Sequence, residues 1–238
     1  MTFRTLASID MIAHDIAHHK KSMVNAKLFL PFSDLAAALL PVPSATDGAH
    51  DTSHLARVWR NARAIQLEEG GDLEILAAAV LLHDCVTVAK DSPLRSQASR
   101  LAAREATSQL KQLGWSDERI AQVATAIESH SYSAGIATTT LEACILQDAD
   151  RLDAIGFTGI ARCLYTAGRM GSSLYEVSDP RAKHRTLNDA DYALDHFPAK
   201  LLCLADGFKT ATGRLLAARR HEAVRYFYDG MLDEVDNP

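Results

Sequence analysis

The chain has 238 residues, enough to bury one substantial core, and at 47% hydrophobic and 23% charged it has the composition of an ordinary globular protein. No apolar run approaches the roughly 20 residues that span a bilayer, and Arg4, Asp10, His14 and Asp15 interrupt the N-terminus where a signal peptide would be apolar, so a cytoplasmic protein with no membrane partner is expected. A net charge of −5 without a Lys/Arg stripe argues against nucleic-acid binding but leaves room for a local cationic pocket.

The first expected element is a helix over residues 1–24, with Leu6, Ile9, Ile12, Ala13 and Ile16 as its apolar side. Its His14 and His18 stand at a zinc-capable i, i+4 spacing, but no third ligand lies nearby and a solvated helix face explains the same residues. A short helix over 32–40 stops at Pro41-Val42-Pro43, so residues 1–45 read as an N-terminal helical extension and 46–238 as the main domain.

In that domain Asp51 or Thr52 can cap a helix in which Leu55, Val58, Trp59, Ala62 and Ile65 recur through to Glu69. His54 lies one turn before Val58, on the buried face, where a lone imidazole is more often a satisfied core residue than a ligand. Residues 76–82 are then apolar on every side, which marks a helix inside the core, and this helix ends in His83-Asp84. Burying an adjacent imidazole and carboxylate is costly without a partner, and a divalent cation between them is the simplest common one. The bland alternative is a His at a helix C-terminus followed by a loop Asp.

A polar loop over 86–96 carries Lys90. Helices over 99–113, stopped by Gly114, and from Ser116 to His130 follow, the latter with Ile120, Val123, Ile127 and His130 on one face. Residues 141–155 form a second helix that is apolar nearly all round, interrupted by Asp148, Asp150 and Asp153. At about 100° per residue, Asp148 and Asp150 diverge by about 200°, whereas Asp150 and Asp153 share a face, so only one side of this helix can look into a given site. The segment 170–190 reads as a mobile polar lid in which Lys183, His184 and Arg185 close over phosphate, and 195–234 returns to helical periodicity. The widely spaced Cys85, Cys144, Cys163 and Cys203 read as reduced core residues. With no strand pattern and no repeat, the expected fold is an all-α, single-domain helical bundle with a metal site between its central helices.

Together these motifs resemble the HD superfamily of metal-dependent phosphohydrolases, whose signature is H…HD…D. The spacing from His54 to His83 is 83 − 54 = 29 positions, and His50-Asp51-Thr52-Ser53-His54-Leu55-Ala56-Arg57-Val58-Trp59, Leu81-Leu82-His83-Asp84, Glu128-Ser129-His130-Ser131-Tyr132-Ser133 and Gln147-Asp148-Ala149-Asp150-Arg151-Leu152-Asp153-Ala154-Ile155-Gly156 are similar to the successive motifs of the small bacterial HD hydrolases. His196-Phe197, Lys200-Leu201-Leu202 and Thr212-Gly213-Arg214 extend the likeness, which covers about residues 49–235.

The resemblance implies an HD-domain bundle with His54, His83, Asp84 and Asp150 as ligands. Asp150 is preferred to its rival Asp148 because Ala149-Asp150-Arg151-Leu152 is similar to the Ala-Asp-Arg-Leu of the alarmone hydrolases. It implies one divalent ion, Mn or Mg ahead of Fe, Co or Ni, since His130 lacks the paired histidines of dinuclear relatives. The implied reaction is hydrolysis of a phosphate ester or anhydride of a small molecule, with a nucleotide the family's usual substrate, by attack of a metal-activated water. Arg57, Lys90, Lys200 and Arg214 are candidates to hold phosphate, Asp153 to support the site or contact the leaving group, and His130, with His50 and His196, to donate a proton. A monomer or homodimer is expected. The alternatives are an HD-fold regulatory module that binds without turnover and a cyclic-dinucleotide phosphodiesterase, which lacks support without an HD-GYP motif.

Overall fold

The computed structural model describes residues 25–40, 52–88, 92–131 and 134–236. The expected helix over 1–24, the His14/His18 pair, His50 and Lys90 lie outside the described residues. Among those described the chain is all-α: α1 (Ser33–Leu39), α2 (Thr52–Glu69), α3 (Leu73–Leu82), α4 (Ala98–Gln112), α5 (Asp117–His130), α6 (Leu141–Asp153), α7 (Gly156–Met170) and α8 (Ala211–Asp236), with short 3-10 and π turns before α1, α4 and α8.

Helix α3 is the centre of the bundle. Asp72 caps it by accepting from the backbone N–H groups of Glu74 and Ile75. Every residue from Ile75 to Leu82 is buried, so the helix has no solvent face to satisfy polar side chains. It packs against α1, α2, α5 and α6, while α2 runs along α6 and α5 lies between α4 and α6. Phe29 and Ala36 are fully buried in this same core, and Phe29 and Phe32 pack on Trp59 of α2 with ring centroids 6.4 and 6.1 Å away.

Helix α6 resolves how three carboxylates can be carried by one buried helix. Thr140 caps its start by accepting from Ala143 N–H. Asp148, fully buried, points away from α3 and accepts from the N–H groups of Lys209 and Thr210 and from the Thr210 hydroxyl at 2.8–3.0 Å. It thus latches the segment that leads into α8. A Cβ on Gly213 would stand 2.4 Å from an Asp148 carboxylate oxygen, so the first turn of α8 can approach this latch only with a glycine there.

Helix α7 was not expected. Its apolar Ile160, Cys163, Leu164 and Ala167 recur at helical spacing, and Gly171 ends it with φ at +76°, but only Gly156, Gly159 and Ile160 are fully buried, so its pattern is diluted by exposed residues. The periodicity expected over 195–234 is interrupted in the structure. A 3-10 turn (Ala193–Asp195) and a π turn (Phe197–Leu201) carry Pro198, and the Asp148 latch then redirects the backbone before α8 begins.

The expected mobile lid is instead a braced segment. Asp179 accepts from the N–H groups of Lys183 and His184, the Arg185 guanidinium makes a double contact with buried Asp195, and Arg181 reaches Asp236 of α8 at 2.6 Å. Arg185 is therefore committed to a carboxylate within the protein. The four cysteines are free; Cys203 is exposed and the other three are half-buried, so they border the core.

Candidate metal centre

The end of α3, the start of α2, the end of α5 and one face of α6 meet at a cluster of imidazoles and carboxylates. His54 is 1% exposed and His83 1%, while the side chains of Asp84 and Asp150 are 43% and 31% exposed, so two buried imidazoles form the floor and two carboxylates the rim. The Nε2 atoms of His54 and His83 lie 3.3 Å apart. His54 Nε2 is 3.6 Å from an Asp150 oxygen and 3.9 Å from one of Asp84; His83 Nε2 is 3.8 Å and 3.6 Å from the same two groups.

Hydrogen bonds on the far side of each ring set the tautomers. His83 Nδ1 lies 2.9 Å from the Val80 carbonyl and His54 Nδ1 lies 2.8 Å from Asp153 Oδ2, acceptors that require an N–H on those nitrogens. In the neutral rings both Nε2 lone pairs then face each other across 3.3 Å, an arrangement that is repulsive unless a positive charge sits between them. Two ligands at about 2.1 Å from a cation, set roughly at right angles, would be separated by about 3.0 Å, close to what is observed. With two neutral imidazoles and two carboxylates the donor set carries two negative charges, matching a divalent ion. Burial pushes the His83 pKa down, but Asp84 and Asp150 outweigh it and the net displacement is upward, the mark of a site that draws positive charge. The donors fit the metal.

Among the described residues, two overlapping groups of three have donor atoms within 4.8 Å of one another: His54, His83 and Asp150, and His83, Asp84 and His130. His130 thus belongs to the cluster, with its Nε2 3.8 Å from Asp84 and its ring 5.0 Å from His83. Its Nδ1, 2.6 Å from the Ile127 carbonyl, must carry the proton. Burial, reinforced by His83, holds its pKa below the ordinary value, so the neutral ring offers a lone pair at Nε2.

Asp153 stands behind His54. It is 1% exposed and receives His54 Nδ1–H, Arg57 Nε at 2.6 Å and Arg162 Nη1 at 2.7 Å, a network that drives its carboxyl far below the usual range; burial opposes this and the hydrogen bonds from His54 and Arg57 overcome it. It orients a ring of the site rather than facing a leaving group. Arg57 gives its remaining Nη1 to Ser53, so it is engaged in this network and not turned to phosphate. Arg162, on the unexpected α7, was missed for that reason.

Of the other cations expected to hold phosphate, Lys200 and Arg214 are among the described residues. Arg214 donates to the carbonyls of Phe208 and Lys209, on the Asp148 side of α6 and hence away from the cluster, and the family likeness of Thr212-Gly213-Arg214 is explained by the latch. Lys200 lies on the π turn that precedes the Asp148 latch. His196 binds Asp189 at 2.8 Å and stands outside both groups of three.

This architecture matches known proteins. The HD domain family model matches residues 52–155. The chain is 35% identical over 182 residues to YpgQ of Bacillus subtilis, covering 75% of this chain and 80% of YpgQ. The structure of YpgQ in complex with ADP superposes with a TM-score of 0.61, covering 80% of this chain and 91% of that one. An HD-superfamily hydrolase from Bacillus thuringiensis is 26% identical with a TM-score of 0.63 over 92% of this chain and 97% of its own, and a Lactobacillus plantarum protein is 30% identical with a TM-score of 0.67 over 90% and 98%. The chain belongs to the HD superfamily of hydrolases. No helix among the described residues is long and apolar enough to cross a membrane.

Proposed function

We propose that the protein is a mononuclear metal-dependent phosphohydrolase acting on a small phosphorylated molecule, with a nucleotide as substrate. The observation that carries this reading is the pair of buried Nε2 lone pairs 3.3 Å apart beneath two carboxylates. His54, His83, Asp84 and Asp150 would hold the ion. Two imidazoles among four donors favour Mn²⁺ over Mg²⁺, which prefers oxygen. When bound, the ion supplies Lewis acidity, acidifying a water and offsetting phosphate charge. The nucleotide preference is supported by the ADP bound to YpgQ.

The chain's own residues do the positioning. Asp153 holds the Nδ1 proton of His54, and Arg57 and Arg162 hold Asp153, so the His54 ring cannot rotate away from the site. Val80 does the same for His83 through its carbonyl. His130 Nε2, beside Asp84, takes a proton from water and returns it to the leaving group. A phosphate-release screen over nucleoside mono-, di- and triphosphates with Mn²⁺ tests the reading. The expected result is release from one class and none with excess EDTA. Tight nucleotide binding with no release from any class would instead make the protein a ligand-binding module.

A further inference from the structure

On the outer side of Asp153, away from the cluster, two cavities of about 260 Å³ each adjoin one another. The first is lined by Arg57, Arg60, Asn61, Asp153, Thr158 and Arg220, and the second adds Arg219 and Phe157 while sharing Thr158 and Arg220. Besides Arg57, which is committed to Asp153 and Ser53, three arginines, Arg60, Arg219 and Arg220, therefore line the two cavities, whose lining holds a single carboxylate. That carboxylate is already neutralised by Arg57 and Arg162. Arg220 donates to two neutral oxygens, the Leu152 carbonyl and Asn61 Oδ1 at 2.8 Å, and among the described residues no carboxylate lies within salt-bridge distance. Burial holds its pKa below the usual arginine value, which is the condition an anion would relieve. Arg60 bonds the Ala56 carbonyl and likewise has no acidic partner among the described residues.

We infer that this recess between α2, α7 and α8 is a second anion site that binds a phosphate or diphosphate group. Arginine forks match phosphate oxygens two at a time, and Thr158 stands at the seam between the two cavities. Each cavity is smaller than the roughly 300–1,000 Å³ of sites that enclose drug-sized ligands, so the recess suits the anionic group and not a whole nucleotide. The His54 imidazole separates it from the cluster, because Nδ1 faces Asp153 and Nε2 faces His83.

The test is calorimetric titration of the full chain, in EDTA, with inorganic phosphate, inorganic diphosphate and ADP. Arg220→Gln would also remove a packing contact, so the exposed pair Arg60→Gln and Arg219→Gln is used together, with thermal melting as the check on folding. Saturable binding of at least one probe is expected, weakened about a hundredfold or more by the double substitution, the loss appropriate to two charge-assisted contacts, and unchanged by Asp84→Asn. Equal affinities for diphosphate and ADP would identify the diphosphate group as the ligand, and binding of phosphate as tight as either would identify a single phosphoryl group. No saturable binding, undiminished affinity in the double variant, or a changed affinity in Asp84→Asn would each overturn the assignment, the last by moving the anion to the cluster.

Discussion

Asp150→Asn is expected to fold normally and to lose its divalent metal, while Asp148→Asn keeps metal and loses stability. The two carboxylates stand two residues apart on α6 and on opposite sides of it. Asp150, part-exposed, has an oxygen 3.6 Å from His54 Nε2 and 3.8 Å from His83 Nε2. Replacing that oxygen's charge with an amide removes one of four ligands, and the rest cannot fix the coordination geometry. Asp148 accepts only from donors, namely two backbone N–H groups and the Thr210 hydroxyl. An amide there would turn an NH₂ toward N–H groups in a site that Gly213 leaves no room to rearrange. Lost bonds to a buried charged group put the cost at about 2–4 kcal/mol, or a fall of about 5–10 °C in melting temperature for a chain of this size. Metal analysis of both variants alongside their melting curves separates the roles; loss of metal in Asp148→Asn with retention in Asp150→Asn would reverse the assignment.

The second large effect is expected at Asp153, where stability and metal affinity meet. Asp153→Asn leaves Arg57 and Arg162 without their charge partner and weakens the hold on His54 Nδ1–H. Breaking a buried ion pair in this way costs about 3–5 kcal/mol, and removing the group behind a metal-binding histidine lowers metal affinity about 10- to 100-fold. The pH dependence has a definite sign. The folded-state pKa of Asp153 is depressed well below the unfolded value of about 3.9, so its stabilisation is fully present above that value and is lost as pH falls toward the folded pKa. The gap in melting temperature between wild type and Asp153→Asn is therefore expected to be constant from neutral pH to about pH 5 and to narrow below about pH 4. A gap that widens in acid would show that Asp153 is not the charged partner of this network.

Much of this was legible in the sequence because the decisive residues sit on helices with unambiguous patterns. Helix α3 has no polar face, so a His-Asp pair at its end had to meet something, and the periodicity of α2 turned His54 inward. The geometry of a regular helix was enough to send Asp148 and Asp150 to opposite sides, although not to say what Asp148 would meet. Its partners lie about 60 residues away on a turn that no local pattern announces. The arginines were least legible. A guanidinium can serve phosphate or an internal carboxylate equally well, and the choice between them depends on tertiary neighbours. Arg57 and Arg185 found Asp153 and Asp195 inside the protein, Arg162 sat on a helix with a weak apolar stripe, and Arg220 became part of a recess only when α8 folded back over α2 and α6.

The central claim is that one divalent ion held by His54, His83, Asp84 and Asp150 carries the hydrolysis. Its most direct test is Mn²⁺ titration of chelator-treated protein, with bound metal and phosphate release followed in the same samples. One ion per chain at saturation, with release rising in step with occupancy and both lost in His83→Ala, is the predicted result. Phosphate release that persists without bound metal, or that survives in His83→Ala, would contradict it.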